Sequence, residues 1–490
     1  MNMRLSDILK EITVLESTGP QDAEISGLTF DSRSAEAGSM FFALRGTASD
    51  GHEYITAAVE NGAAAVVCEQ MPAEAKDGVA YIVVGDSHKA LGQAASAFYG
   101  HPSRKLRLVG VTGTNGKTTT ATLLYDMFRA LGHRAGLIST VDYRIGDVIL
   151  PSTHTTPDPL RLNAMLAAMV EKGCGQCFME VSSHSVVQER IAGLEFAGAA
   201  FTNITHDHLD YHGTFAAYIA AKKMFFDGLP KSAFAVTNID DRNGRVMVQN
   251  TRAAIKTLSL RSMADFRCRI VEKHFDGMLL AIDGVEVWVH FIGRFNAYNL
   301  LTVYACARML GVEKEDALRV LSTLTPVSGR FETVRSKGGI TAIVDYAHTP
   351  DALQNVLDTI AELRTPGQRL FTVVGCGGDR DAAKRPMMAH IAAAGSDFAI
   401  LTSDNPRTEE PAAILAQMKA GLEPGQKAVT IIDRREAIST AAAMARPGDI
   451  ILIAGKGHED YQIVGTEKHH FDDKEEIQKA FGLITNYELR

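Results

Sequence analysis

The stretch from Leu106 to Leu131 constrains this chain more than any other. An apolar run, Leu108 to Val111, predicts a buried strand. A glycine-rich turn follows, Gly113-Thr114-Asn115-Gly116-Lys117-Thr118, with Thr119 behind it. Ala121, Leu124, Met127, Phe128 and Leu131 then recur at helical spacing, and Gly132 suits a helix stop. Strand, glycine loop and helix N-terminus together make a phosphate cradle. Glycines let backbone N–H groups approach, the helix dipole favours anions, Lys117 reaches terminal phosphates and the Thr118 hydroxyl suits Mg²⁺. The spacing departs from the common G-x-x-x-x-G-K-[ST] pattern, because position 111 is Val and the nearest earlier glycine is Gly110. Gly-Lys-Thr between a strand and a helix favours the phosphate loop over an ordinary turn.

A chain of 490 residues exceeds one hydrophobic core, and about two to four domains are expected. The 46% apolar and 22% charged content is that of a soluble globular protein, and the net charge of −8 argues against nucleic acid as the main partner. The N-terminus, MNMRLSDILKEI, has no uninterrupted apolar core of signal-peptide length and no run approaches membrane-spanning length; no membrane partner and a location in the cytoplasm, where ATP is abundant, are expected. Six cysteines in so long a chain do not make a disulfide framework. The one C-x-x-C, Cys174 and Cys177, has no second pair, and a buried structural role is expected for it.

Residues 1–100 read as a small α/β unit, closed by the polar His101-Pro102-Ser103-Arg104-Lys105. Residues 101–328 alternate strands and helices, which predicts a parallel sheet with its site at the C-terminal strand edges. They include a hairpin in VDYRIGDVIL and a β-rich, antiparallel extension from Met263 to Ile292. Residues 329–490 predict a second doubly wound sheet, because TAIVDYAHTP, RLFTVVGCGGDR, DFAILTSDNPR, AVTIIDRRE and DIILIAGKGHED each end an apolar run in a polar loop. GCGG at 375–378 lacks dinucleotide-fingerprint spacing.

Several polar groups fall at those edges. Glu180 ends an apolar strand, where a carboxylate suits Mg²⁺ or merely faces solvent. The run His206 to His212 is more His-rich than a connector needs, and His208 is a candidate metal ligand. Lys222 and Lys223 sit on a helix, and residue chemistry alone does not single out Lys222. Asn296 and Asn299 open an apolar helix after Gly293; Asn296 either caps it or reads an adenine edge. In Ser403-Asp404-Asn405-Pro406-Arg407, Pro406 fixes a turn, Arg407 offers a fork to a carboxylate, and Asp404 and Asn405 suit an ammonium. Gly455-Lys456-Gly457-His458-Glu459 ends the last strong strand with glycines that permit close backbone approach.

Taken together, GTNGKT, EVSSH, DHLDYHG, GRFNAYN, DYAHTP, DNPR and GKGHED, in this order over essentially the whole chain, resemble the Mur ligase family, and within it the members that add 2,6-diaminopimelate. The resemblance implies three α/β domains: a small UDP-substrate domain (1–100), a central P-loop ATPase-like parallel-sheet domain binding ATP (101–328) and a Rossmann-like amino-acid domain (329–490). It implies an ADP-forming amide ligase that joins meso-diaminopimelate to the D-Glu of UDP-N-acetylmuramoyl-L-Ala-D-Glu through an acyl phosphate, in peptidoglycan precursor synthesis. A monomer using ATP and Mg²⁺ is expected. By motif, Gly113 to Thr119, Asn296, Asn299, Arg330 and Asp345 look like ATP contacts. Thr118, Glu180, His208 and Lys222, the last as a carbamate, look like metal ligands, and with Lys117 the last three look catalytic. Ser32, Thr155, Thr156, Ser182, Gln188 and Arg190 look like contacts to the UDP-dipeptide. Arg380, Asp404, Asn405, Pro406, Arg407, Gly455 and Glu459 look like the diaminopimelate site.

Three rivals follow from the same residues. The first is the same ligase using L-lysine, and Arg407 argues against it. The second is a related amide ligase such as folylpolyglutamate synthetase, which the full N-terminal domain and DNPR oppose. The third, of another class, is a non-catalytic nucleotide switch, which needs no amino-acid pocket.

Overall fold

The computed structural model describes residues 2–46, 49–205, 207 and 209–484. The chain forms two compact units and passes between them several times: residues 1–113, 124–202 and 219–257 make the first, and residues 114–123, 203–218 and 258–490 the second.

The first unit opens with a five-stranded sheet in the order Val14–Thr18, Ala80–Val84, Ala65–Cys68, Ser39–Phe42, Gly27–Thr29. Neighbours are parallel except Val14–Thr18. Side chains alternate between two cores. Met40, Phe42, Val67 and Ile82 pack with Leu91 and Phe98 on one face, and Phe41, Val66 and Tyr81 pack with Ile55 and Val59 on the other. Burial on both faces explains why these strands read as continuous apolar runs.

A second sheet in this unit runs Val148–Pro151, Asp142–Ile145, Ala135–Ile138, Gln176–Glu180, Arg107–Thr112, Gly198–Phe201, Phe234–Asn238, Ala254–Ser259. The expected hairpin is its antiparallel edge, and the strands from Ala135–Ile138 to Phe234–Asn238 pair in parallel. Gly110 is wedged in this core: a Cβ there would lie 2.5 Å from the Phe225 ring. All six cysteines are free and buried, as expected for the Cys174/Cys177 pair.

In the second unit Phe266–His274, Gly277–Ile282 and Val285–Val289 form the expected antiparallel extension. A six-stranded sheet follows in the order Glu332–Arg335, Thr341–Asp345, Ile450–Ala454, Leu370–Cys376, Phe398–Ser403, Ala428–Thr430. Only the Glu332–Arg335 edge is antiparallel. Ile343, Leu370, Val374, Leu401 and Leu452 meet the helices Pro350–Leu363, Lys384–Gly395 and Pro411–Lys419 on one face. Val344, Phe371, Val373, Ile451 and Ile453 meet Arg434–Met444 and Asp473–Ala480 on the other. The sheet is therefore covered on both faces, and its polar loops gather at the C-terminal strand ends, where ligands bind in such folds. In this sheet and beside it, the Glu332–Arg335 edge and the hairpin Tyr461–Val464/Glu467–His470 escaped the sequence reading, as did the strands Val14–Thr18, Phe234–Asn238 and Ala254–Ser259 of the first unit.

Candidate functional site

The phosphate-loop strand is Arg107–Thr112 and its helix is Lys117–Ala130, as the sequence predicts. Gly116 has φ of 89°, and a Cβ there would meet Asn299 Oδ1 at 2.4 Å. Any side chain at 116 would fill the cradle. The loop is pinned by the segment after Gly198–Phe201. Thr114 N donates to Asn203 O (2.8 Å), Asn115 N donates to Asn203 Oδ1 (3.0 Å), and Thr205 N donates to Thr114 Oγ1 (3.0 Å). Asn115 Nδ2 and Thr205 Oγ1 both donate to Asp351 Oδ2, at 2.9 and 3.2 Å. Lys117 Nζ curls back to Thr114 O at 2.8 Å. Thr118 and Thr119 are buried.

Glu180 is the last residue of Gln176–Glu180, paired with Val111 of the phosphate-loop strand, and is 1% exposed. Thr140 N donates to its Oε1 at 2.7 Å, and Thr156 Oγ1 donates to its carbonyl at 2.9 Å. Thr155 Oγ1 accepts from Thr140 Oγ1 (3.1 Å). Arg190 donates to Gln188 Oε1 through Nε (3.0 Å) and Nη2 (2.6 Å), and to Thr156 O through Nη1 (2.7 Å). Thr155, Thr156, Glu180, Gln188 and Arg190 thus form one polar cluster at the sheet edge. Ser182 caps the short helix Ser183–Val187, accepting from Ser185 N. Ser32 lies elsewhere, on the 3-10 turn Ser32–Ser34 beside the first sheet.

The two adjacent lysines separate by environment. Lys223 Nζ pairs with both Asp227 oxygens at 2.7 Å, the bond of a helix-surface residue to its i+4 neighbour. Lys222 is 1% exposed and donates to Gly113 O at 2.8 Å, at the start of the phosphate loop. His208 lies outside the described residues. Taken singly, each in its own unit, the buried Glu180 carboxylate and the buried Thr118 hydroxyl are hard oxygen donors of the chemistry a divalent cation takes. An ammonium at Lys222 is not, and only its carbamate would join that set.

Asn296 does not cap its helix. The helix is Arg294–Met309, with Gly293 at the cap position, and Asn296 lies inside the first turn. Its Nδ2 donates to Ile292 O (2.8 Å), and its Oδ1 accepts from Asn299 Nδ2 (3.2 Å). These two amides hold the turn that backs Gly116.

A continuous path of contacts then leads from the loop to the third sheet. Arg330 Nη2 donates to Thr118 Oγ1 at 3.2 Å, and its guanidinium lies 4.5 Å from the Tyr346 ring centroid. Tyr346 OH donates to Glu459 Oε1 at 3.5 Å, and Asn405 Nδ2 donates to Glu459 Oε2 at 2.9 Å. Lys456, wholly buried, donates to Asn405 Oδ1 (3.0 Å) and Glu459 Oε2 (3.2 Å). Asp345 accepts from Phe331 N at 2.7 Å, and burial lifts its carboxyl to about 6 against the pull of Arg330. Burial also lifts Glu459, with Asp404 adding to it. Burial pushes Asp404 the same way, but Lys456 and then Arg434 bring it below the usual carboxylate range.

Around this cluster Gly455 has φ of 122°, and a Cβ there would lie 2.7 Å from Asp404 Oδ2. Pro406 is buried. Arg407 is half-buried with φ of 51°, and its Nη1 donates to Gly378 O at 2.7 Å. Arg380 is exposed on the neighbouring turn, which Arg385 braces by donating to Gly377 O and pairing with Glu409 at 2.8 Å. Sequence reasoning missed Lys456, Arg434 and Tyr346. A lysine flanked by glycines directly after a buried strand was the available signal for the first.

His348 and His458 are held neutral. Burial is the main cause in both, then Lys384 for the first and Arg330 for the second, and their pKa values fall to about 4 and about 3. The unfolded chain binds those protons near the ordinary value of about 6.5, so stability is expected to drop as pH falls from about 6.5 toward about 4. Asp345 acts oppositely, since its raised pKa relieves an ionisation cost below about 6. Urea unfolding of His458→Gln at neutral and mildly acidic pH is expected to show a shallower pH slope than the parent; equal slopes would remove this histidine from the account.

Three family models match the chain: the Mur ligase family catalytic domain at residues 24–99, the Mur ligase middle domain at 111–307 and the Mur ligase glutamate ligase domain at 329–457. A curated relative, UDP-N-acetylmuramoyl-L-alanyl-D-glutamate--2,6-diaminopimelate ligase of Bacteroides fragilis, is 56% identical over 483 residues, covering 98% of this chain and 100% of that protein. A solved structure bearing the same enzyme name superimposes with TM-score 0.70 at 33% identity, over 99% of both chains. Mycobacterium tuberculosis folylpolyglutamate synthase, solved with ADP and AMPPCP, matches with TM-score 0.60 at 18% identity over 80% of this chain and 95% of that one, which shows the shared fold alone.

Proposed function

The chain belongs to the Mur ligase family, and from that premise we propose that it joins meso-2,6-diaminopimelate to the D-Glu carboxylate of UDP-N-acetylmuramoyl-L-Ala-D-Glu. It is an ATP-dependent amide ligase of peptidoglycan precursor synthesis. The observation that carries the substrate assignment is the identity of 56% along 98% of the chain to a relative with that name. The contact path from Thr118 through Arg330, Tyr346 and Glu459 to Asn405 supports it. We assign residues 1–100 to the UDP substrate, 101–328 to ATP and 329–490 to the amino acid. We also infer a cytoplasmic monomer; among the described residues no helix is long and apolar enough to cross a membrane.

The chemistry follows from the groups. The D-Glu carboxylate attacks the γ-phosphorus of ATP, and ADP leaves with the bridging oxygen. The resulting acyl phosphate is attacked at carbon by the neutral amine of diaminopimelate; the amine loses a proton and inorganic phosphate departs. Gly113 to Thr119 cradle the triphosphate, and Lys117 holds positive charge where negative charge grows. Asn299 and Asn296 shape the cradle, and Arg330 and Asp345 border it. Mg²⁺, when bound, neutralises phosphate charge; Thr118, Glu180, His208 and Lys222 as a carbamate would hold it. Ser32, Thr155, Thr156, Ser182, Gln188 and Arg190 hold the UDP-muramoyl dipeptide. Arg380, Asp404, Asn405, Pro406, Arg407, Gly455 and Glu459 take the amino acid. Acyl phosphates hydrolyse, so closure that excludes water is part of the function.

The test is an amino-acid panel with UDP-muramoyl dipeptide and ATP, scored by phosphate release. Release that depends on diaminopimelate is expected. Release independent of any amino acid would favour a nucleotide switch, and release with glutamate on a folate substrate would favour the folylpolyglutamate activity. Within the panel, Arg407→Ala is expected to lose most of the preference for diaminopimelate over L-lysine, because the fork that meets the far carboxylate is gone. An undiminished preference would take Arg407 out of that role.

A further inference from the structure

Asn405 has a side chain whose orientation is fixed by its neighbours. Its Oδ1 accepts from two groups that can only donate: Lys456 Nζ at 3.0 Å and the backbone N–H of Ile463 at 3.0 Å. An amide oxygen has two lone pairs, so both are used. A flipped amide would set NH₂ against an ammonium and an N–H, which excludes the alternative rotamer. The Nδ2 group donates one hydrogen to Glu459 Oε2 at 2.9 Å. Among the described residues, its second hydrogen is the one amide group of Asn405 with no assigned partner. Lys456 itself is wholly buried, in contact with Asn405 and Glu459, and 3.9 Å from Asp404 Oδ1. It has no exposed surface with which to meet a substrate.

We propose that Lys456 is a positioning residue for the amino-acid substrate: with Ile463 N–H it locks Asn405 as a hydrogen-bond donor, so that Asn405 reads the carboxylate at the far end of the diamino diacid beside Arg407. The ammonium of that end then falls to the two carboxylates, Asp404 and Glu459. This corrects the expectation that Asn405 pairs with an ammonium, because no acceptor on it is left to do so. The hairpin strand Tyr461–Val464 is part of the device. It supplies the Ile463 donor, and it is anchored on the same loop, where Arg407 N donates to Ile463 O and Gln462 Nε2 donates to Asp404 O at 2.6 Å. The proposal rests on the diaminopimelate reading of this site.

The test compares diaminopimelate with L-lysine, which lacks only the far carboxylate, in the wild-type chain and two variants. Asn405→Asp keeps an oxygen for Lys456 and Ile463 but turns the outward donor into an acceptor. It is expected to narrow the diaminopimelate-to-lysine ratio of kcat/KM by about tenfold or more, since a buried N–H to a carboxylate is exchanged for repulsion. Lys456→Met frees the amide to turn and is expected to narrow the ratio in the same direction, with the KM for ATP and for the UDP-dipeptide near wild type. A general packing defect would lower activity with both amino acids and leave the ratio alone. If Asn405→Asp preserves or widens the ratio, Asn405 is not an outward donor and the proposal fails. If Asn405→Asp narrows it and a folded Lys456→Met does not, the lock is not Lys456's. A wild-type chain with no diaminopimelate-dependent phosphate release would instead overturn the reading of the site, and the proposal with it.

Discussion

Replacing Lys117 by alanine is expected to lower kcat by about 10²- to 10³-fold, the usual loss when one preorganised group facing developing charge is removed. The ammonium sits one residue into the helix that begins at the phosphate loop, and its hydrogen bond to Thr114 O holds it over that loop. Its attraction grows as the γ-phosphoryl group passes between oxygens, so kcat should fall more than the KM for ATP rises. The fold should be indifferent, because the loop is pinned by Asn203, Thr205 and Asp351 rather than by Lys117. Steady-state phosphate release with a parallel melting curve checks both halves. A variant retaining more than about a tenth of wild-type kcat would place the phosphate cation elsewhere.

The second large effect concerns stability. Arg434 and Asp473 form an ion pair in which both side chains are wholly buried, joined at 2.7 Å through both guanidinium–carboxylate contacts. Arg434 also donates to Ala454 O at 3.1 Å and Ser403 O at 3.4 Å. Those carbonyls end the two strands that lead into Gly455–Glu459 and Asp404–Arg407. Asp473→Leu leaves a buried cation without its anion and is expected to destabilise the protein by about 3–5 kcal/mol. Arg434→Met should cost about as much. The double variant should recover a good part of the loss, because neither charge is then stranded. It should not recover the amino-acid KM, since the tie between the two strand ends is still absent. Urea unfolding of the three variants decides the first point and the KM for diaminopimelate the second; additive losses in the double variant would show that the pair is not coupled.

What could be read before any coordinates depended on how local each feature is. The phosphate loop is written in consecutive residues: an apolar run, Gly116, Lys117, Thr118, then helical spacing. The parallel strands of the third sheet were legible because burial on both faces leaves uninterrupted apolar runs, such as Ile450–Ala454. The hairpin Tyr461–Val464/Glu467–His470 was not, because it is largely exposed and carries neither a run nor a clean alternation. Of the two readings open for Asn296, the cap fails by three positions, because Gly293, with φ of 92°, takes the cap position. Lys222 and Lys223 are indistinguishable by chemistry, and only the helix packing turns one toward Gly113 and the other toward Asp227. Lys456 and Arg434 escaped for another reason. Asp473, the partner of Arg434, and Asn405, the residue that Lys456 orients, lie far along the chain from them, and hydrophobic pattern does not reveal strand order.

That strand order bears on how the protein is made. Ile450–Ala454 lies between Thr341–Asp345 and Leu370–Cys376, so the middle of this sheet is the last of its strands to leave the ribosome. Until then Thr341–Asp345 and Leu370–Cys376 each lack the neighbour that pairs with them in the finished sheet. Such unpaired strands invite pairing with other nascent chains. Ribosomes stalled before codon 450 should therefore display a product that chaperones retain, and release from them should coincide with the arrival of that single strand.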